Sequence, residues 1–167
     1  MNLDAIGTGE FVVVDTNILV YANQQKSEEC IRFLKRCAGR DLNGVVPMPM
    51  VAGLMHTLML IEARENGWIT GSNPARALAE HPELARRMTR YETQIREFLG
   101  IGLRLESVVA VDFIEAMRIQ HENGLLTNDS LLLAVARRLN CNALASADSV
   151  FNAATGITVY CPQDLKA

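Results

Sequence analysis

No run of about 20 uninterrupted apolar residues, the length that spans a bilayer, occurs in the sequence. The stretch Val45 to Ile61 comes nearest, and Pro47, Pro49, Gly53, His56 and Thr57 interrupt it. No membrane span is expected. A basic start followed by an apolar core is also missing. Met1 to Glu10 carries acids and glycines instead, which predicts no secretory signal and a cytoplasmic location. There is no excess of basic charge: 16 Lys and Arg against 19 Asp and Glu give a formal charge of −3. Phosphate backbones therefore meet no global attraction, and nucleic-acid binding has to rest on local patches. The cysteines, Cys30, Cys37, Cys141 and Cys161, include no C-x-x-C pair. Zinc-finger spacing is excluded, and buried free thiols are expected. Repeats and low-complexity linkers are lacking too.

What is present suits a globular α/β protein. The composition is 49% hydrophobic and 21% charged, and 167 residues fit one domain spanning residues 1–167. Phe11 to Val14 is a continuous β-branched and aromatic run, the pattern of a strand buried on both faces. Ser27 to Ala38 reads as an amphipathic helix, with Ser27 as N-cap, acids in the first turn, bases in the last, and Cys30, Phe33, Leu34 and Cys37 on one face. Val45-Val46 is a short second strand. Pro49 to Asn66 reads as a helix that is apolar almost all round. A short helix at Ala75 to Ala79 and a charged amphipathic helix from Pro82 to Leu99 complete a helical arm, about residues 49–99. A strand at Ser107 to Val111, a helix from Asp112 (as N-cap) to Asn123, a helix from Asn128 to Asn140, and strands at Ala143 to Ala145 and Ile157 to Cys161 follow. Strands alternating with helices predict a mostly parallel sheet flanked by helices on both faces, with the arm inserted between the second and third strands.

Asp15 and Asp148 each follow the C-terminal end of a buried strand, the edge at which open α/β sheets bind ligands. Asp129 falls in the first turn of its helix, facing the same edge if that helix runs back over the sheet. Hard oxygen donors without cysteine or histidine at ligand spacing favour Mg²⁺ or Mn²⁺ over zinc. Each acid also has a local explanation. Asp15 with Thr16 and Asn17 can form an Asx-turn, Asp129 can complement a helix dipole, and Asp148 can cap the turn toward Phe151.

V-V-V-D-T-N-I-L-V-Y at Val12 to Tyr21 resembles the opening of PIN-domain nucleases. G-L-L-T-N-D-S-L-L-L-A at Gly124 to Ala134, A-S-A-D-S-V-F at Ala145 to Phe151, and G-I-T-V-Y-C-P at Gly156 to Pro162 resemble the closing half of the same family. The nearest subset is the VapC-like toxins of prokaryotic toxin–antitoxin pairs, and the similarity spans nearly the whole chain in order. It implies a PIN-like fold and Mg²⁺- or Mn²⁺-dependent hydrolysis of RNA, with Asp15, Asp129 and Asp148 as metal-site acids. Asn17 matches a polar residue that helps hold the site, and Ser146 matches a position often Thr or Ser. The resemblance also implies an antitoxin partner that inserts a segment beside the acids, and a homodimer, for which the apolar arm helices are candidates.

One position departs from the pattern. A glutamate expected early in the helix after the second strand is Gly53 here, although glycine inside a helix is about 1 kcal/mol worse than alanine. Glu62 lies nine residues on; at about 100° per residue it faces the opposite way and is no stand-in. His56 shares the face of Gly53, either touching the site or serving as a packed or capping histidine. Three explanations follow: an enzyme working with three carboxylates and water, a pseudo-nuclease that only binds RNA or a partner, or an inactivating change. Arg32, Lys35, Arg36 and Arg40 make one candidate phosphate-tracking surface, and Arg86, Arg87 and Arg90 another; ordinary solvated helix faces are the alternative. Trp68 is expected to anchor packing. A phosphohydrolase with an aspartate nucleophile ranks low, because such enzymes carry a second aspartate two residues on, where Asn17 stands.

Overall fold

Val12, Val13 and Val14 are fully buried, as a continuous apolar run has to be, because their strand occupies the middle of a parallel sheet. A computed structural model describes residues 1–165. Its strands are β1 (Phe11–Val14), β2 (Asn43–Pro47), β3 (Arg104–Glu106), β4 (Ala143–Ala145) and β5 (Thr158–Tyr160). They pair in parallel in the order β3-β2-β1-β4-β5. Val13 sits opposite Val45 on one side and Leu144 on the other. The strand order reverses at β1, so a crevice opens beyond the C-terminal ends of β1 and β4.

Helices α1 (Thr16–Asn23) and α2 (Glu28–Ala38) join β1 to β2. The arm, made of α3 (Met48–Glu65), α4 (Pro74–Ala79), α5 (Pro82–Ala85) and α6 (Arg90–Gly100), joins β2 to β3. Helices α7 (Ala110–Asn123) and α8 (Thr127–Arg138) form a packed pair that returns the chain to β4. Right-handed crossovers put α1 to α6 on one face of the sheet and α7 with α8 on the other. Among the described residues no helix is long and apolar enough to cross a membrane.

Local chemistry explains most of these boundaries. The Ser27 hydroxyl accepts the Cys30 N–H at 3.0 Å and donates to Asp164 at 2.6 Å, so the helix cap is itself tied to the C-terminal segment. Cys30 and Cys37 are free and buried. Burial pushes both thiols up to about 11, which leaves them as inert packing groups.

Two expectations fail here. The third strand is Arg104–Glu106, not Ser107 to Val111. It is a polar edge strand, whereas the valines at 108, 109 and 111 belong to a turn and the first turn of α7. Asp112 is accordingly not the N-cap. It lies inside the first turn, 1% exposed, where its carboxylate accepts from the Val109 N–H at 2.9 Å and Arg138 Nε at 2.7 Å.

The helix expected over Pro82 to Leu99 is divided into α5 and α6. The break has a distant cause. Glu62 of α3 is 4% exposed and accepts from the N–H groups of Thr89 (3.1 Å), Arg90 (3.2 Å) and Tyr91 (2.8 Å). A carboxylate on one helix thereby caps the start of another. Part of the arm packs on itself: Ala63, Ile69, Leu78 and Met88 form a second cluster with Trp68 and Leu84 around it, and Arg87 lies over the Trp68 ring at 5.1 Å. Met50, Leu54, Leu58, Ile95 and Phe98 join the main core. An exposed apolar face lies on α7, at Val111, Phe113, Ile114 and Met117.

Burial raises the pKa of Glu62, but the N–H groups of Tyr91, Thr89 and Arg90 outweigh it and hold the carboxyl below its usual 4.5. A depressed carboxylate stabilises the fold above its unfolded pKa, and that contribution disappears as pH falls through the folded value. Glu62→Gln is expected to lower the unfolding free energy by about 1–3 kcal/mol at neutral pH. The gap from wild type should shrink below about pH 4.5, as read by urea denaturation across the pH range.

Candidate active site

The turn after β1 begins with Asp15, whose N–H continues the ladder onto Ala145 O at 3.0 Å. The end of β1 is thereby fixed against the end of β4. One carboxylate oxygen of Asp15, Oδ2, accepts from Ser146 Oγ at 2.6 Å and from Asn17 Nδ2 at 2.7 Å. Asn17 Nδ2 also donates to Ser146 Oγ at 3.2 Å, and Asn17 Oδ1 accepts the Ala147 N–H at 3.0 Å. Ser146 Oγ in turn accepts the Asp148 N–H at 3.1 Å. Ser146 is fully buried. Its hydroxyl and the Asn17 amide therefore hold the β1 and β4 turns in one arrangement and use up Oδ2, leaving Oδ1 of Asp15 without a side-chain partner among the described residues.

Asp15, Asn17, Asp129 and Asp148 line one open cleft of about 370 Å³, together with Thr16, Val20, Tyr21, Met50, Gly53, Thr57 and Asn128. The wall opposite α1 is α3, which turns Met50, Gly53 and Thr57 inward at helical spacing. Thr16 Oγ1 donates to Met50 O at 3.2 Å and links the two walls. A Cβ built on Gly53 meets only Thr16 Oγ1, at 3.9 Å. The helix has room for a side chain there. His56 points elsewhere, exposed and outside the cleft lining, and Glu62 is buried against α6 as described.

The acids share the cleft without closing on one point. Among the described residues, no three His, Cys, Asp or Glu side chains are disposed to hold an ion by themselves. Burial raises the pKa of Asp15, and the charge of Asp148 adds to it against the hydrogen bonds from Ser146 and the Thr16 and Asn17 N–H groups. Burial likewise raises Asp129, followed by the charges of Asp15 and Asp148, with no hydrogen bond to offset them. Among the described residues no Lys, Arg or His lines the cleft. Hard oxygen donors that repel one another and have no protein cation nearby fit a hydrated divalent ion, for which water fills the positions that the carboxylates leave.

Part of each basic surface is neutralised locally. Arg32 pairs with Asp4 at 2.6 Å, Arg36 with Asp41 at 2.6 Å, and Arg90 with Glu65. Sequence reasoning missed Val20, Tyr21, Thr57 and Asn128. Spacing could have found them: Tyr21 is one helical turn beyond Asn17, Thr57 one turn beyond Gly53, and Asn128 precedes Asp129.

The family model for the PIN domain matches residues 12–157. This chain belongs to the PIN-domain family. The matched span holds β1, β4 and all three acids of the cleft. Among solved structures, this PIN domain is similar to a toxin–antitoxin complex from Klebsiella pneumoniae, with TM-score 0.57 and 14% identity over 88% of this chain and 95% of that one. It is also similar to VapBC2 from Rickettsia felis bound to a DNA fragment from its promoter, with TM-score 0.59 and 16% identity over 92% of this chain and 99% of that one. At these identities the likeness is one of fold. No curated protein matches the chain.

Removing a repelling charge from the PIN-domain cleft should stabilise the metal-free protein. Asp129→Asn is expected to raise the melting temperature at pH 7 in EDTA, because Asp129 loses repulsion and no hydrogen bond. Added Mg²⁺ should stabilise wild type more than the variant in scanning calorimetry, since binding to the folded state raises its apparent stability. A lower melting temperature for Asp129→Asn in EDTA would show that the carboxylate is held by contacts, not strained by charge.

Proposed function

We propose that this PIN domain is the toxin of a toxin–antitoxin pair and hydrolyses RNA phosphodiester bonds in the cytoplasm with Mg²⁺ or Mn²⁺. The observation that carries the proposal is the cluster of unneutralised carboxylates at the β1/β4 switch point. Asp15 through Oδ1, Asp129 and Asp148 would hold the ion. Bound there, it would supply Lewis-acid polarisation of the phosphodiester and a more acidic water. The chain's own residues do the positioning. Ser146 and Asn17 orient the Asp15 carboxylate, Thr16 sets the distance from the β1 turn to α3, and the Val12 to Val14 core beneath supplies a rigid base.

Two partners accompany this reading. An apolar groove of about 280 Å³ between α1, α2, α3 and α6, lined by Leu19, Ile31, Leu34, Leu54, Leu58 and Phe98 among others, suits an apolar segment of an antitoxin. Self-association would use the exposed apolar face of α7 or the arm, which exposes Met55 and Leu99. A second reading has a specific observation behind it. The missing side chain at Gly53 and, among the described residues, the lack of a closed three-acid cluster favour a module that binds RNA or a partner without cutting it.

Cleavage of a mixed RNA substrate with Mg²⁺ or Mn²⁺ separates the two. Wild type is expected to cut, Asp15→Asn to lose on the order of 100-fold or more, and Gly53→Glu to gain about 10-fold by adding a carboxylate to the cleft wall. Cutting by Gly53→Glu alone would identify a disabled nuclease. No cutting by any of the three, with each folded by circular dichroism, would leave the binding module as the function.

A further inference from the structure

The cleft has two chemically different ends. One holds the carboxylates. The other is formed by Val20 and Tyr21 on α1 and Thr57 on α3, while Asn128, beside Asp129, also lines the cleft. Asn17 and Tyr21 are four residues apart on α1, so Tyr21 stands one turn, about 5.4 Å along the axis, from the amide that orients Asp15. Gly53 and Thr57 repeat that spacing on the facing wall. Because Gly53 carries no side chain, the wall across from α1 is open at its level. Tyr21 is half-buried, with its ring backed by the main hydrophobic core.

Among the described residues no cation lines this cleft, so those side chains cannot grip phosphates there as a basic groove does. What the cleft offers instead is an aromatic side chain backed by the core, with the Thr57 hydroxyl and the Asn128 amide in the same lining, the kinds of group that take up an unpaired base. Among the described residues Tyr21 is the one aromatic side chain in the lining. We propose that Tyr21 is a specificity-determining residue: the platform on which the nucleobase next to the acidic end stacks, which restricts the site to single-stranded RNA. A base within a duplex is already stacked on both faces and meets Tyr21 only after being pulled out. The proposal deepens the nuclease reading and rests on it. The competing role for Tyr21, simple core packing, predicts no dependence on the nature of the bound base.

The test is binding of a short fluorescent single-stranded oligoribonucleotide by anisotropy, with Ca²⁺ replacing Mg²⁺, alongside cleavage kinetics in Mg²⁺. Tyr21→Leu is expected to weaken single-strand binding by about 10-fold or more, while Tyr21→Phe and Tyr21→Trp, which keep a ring, stay within about 3-fold of wild type. A single abasic position moved along the oligonucleotide should reach one place where wild-type binding falls by a similar factor. At that place Tyr21→Leu should show no further loss, because ring and base act as one pair. A duplex of the same sequence should bind more weakly and be indifferent to residue 21. Unchanged binding by folded Tyr21→Leu, or losses that simply add, would overturn the proposal. Failure of the nuclease reading shows separately, as wild type that binds the strand but does not cut it.

Discussion

The hydrogen bond from Ser146 to Asp15 is the contact around which the site is arranged. It joins the first residue after β1 to the first residue after β4, two strands brought side by side only by a crossover that spans most of the chain. Asn17 completes the tie by bonding to both partners. The carboxylate is therefore immobile on one oxygen and available on the other. Its elevated pKa follows from the same placement, since burial beneath the crevice removes water before any cation replaces it. Folding supports the arrangement through hydrophobic burial of β1 and β4, which is indifferent to charge. The repulsion among the acids is a local cost tolerated by a core that does not depend on them.

Much of this was legible in the sequence because it is written locally. A fully buried central strand has to read as unbroken Val-Val-Val, and the acid beyond it has to stand at the crevice once strands and helices alternate. The Ser27 cap, with acids in the first turn of α2 and bases in the last, was also readable. The structure puts the three carboxylates along one cleft. Their spacing was not readable, because a list of residues carries no distances. The edge strand β3 escaped notice because an edge needs little hydrophobicity, so Arg-Leu-Glu resembles a loop while the neighbouring valines resemble a strand. Asp112 was misread for a related reason. An acid near a helix start suits several positions, and the choice was settled by Arg138, 26 residues away.

The arm shows the same limit on a larger scale. From Pro82 to Leu99 the periodicity is continuous, and nothing local announces a break. Glu62 makes the break favourable by offering a buried carboxylate to three N–H groups of a new helix start, so the interruption is encoded on another helix altogether. The prediction that Glu62 turns away from Gly53 held, because rotation per residue in α3 is a local rule. What it turns toward was not a local matter.

The space beside Gly53 separates architecture from chemistry. The backbone there is already helical, and an added Cβ meets nothing closer than 3.9 Å, so the fold neither requires the glycine nor resists a larger residue. Stability alone does not call for a glycine here, which inside a helix costs about 1 kcal/mol against alanine. A side chain can therefore be added at the cleft wall without a clash, and the scaffold beneath it stays the same. The chemistry of that wall is then set by a residue whose identity leaves almost no trace in the rest of the molecule.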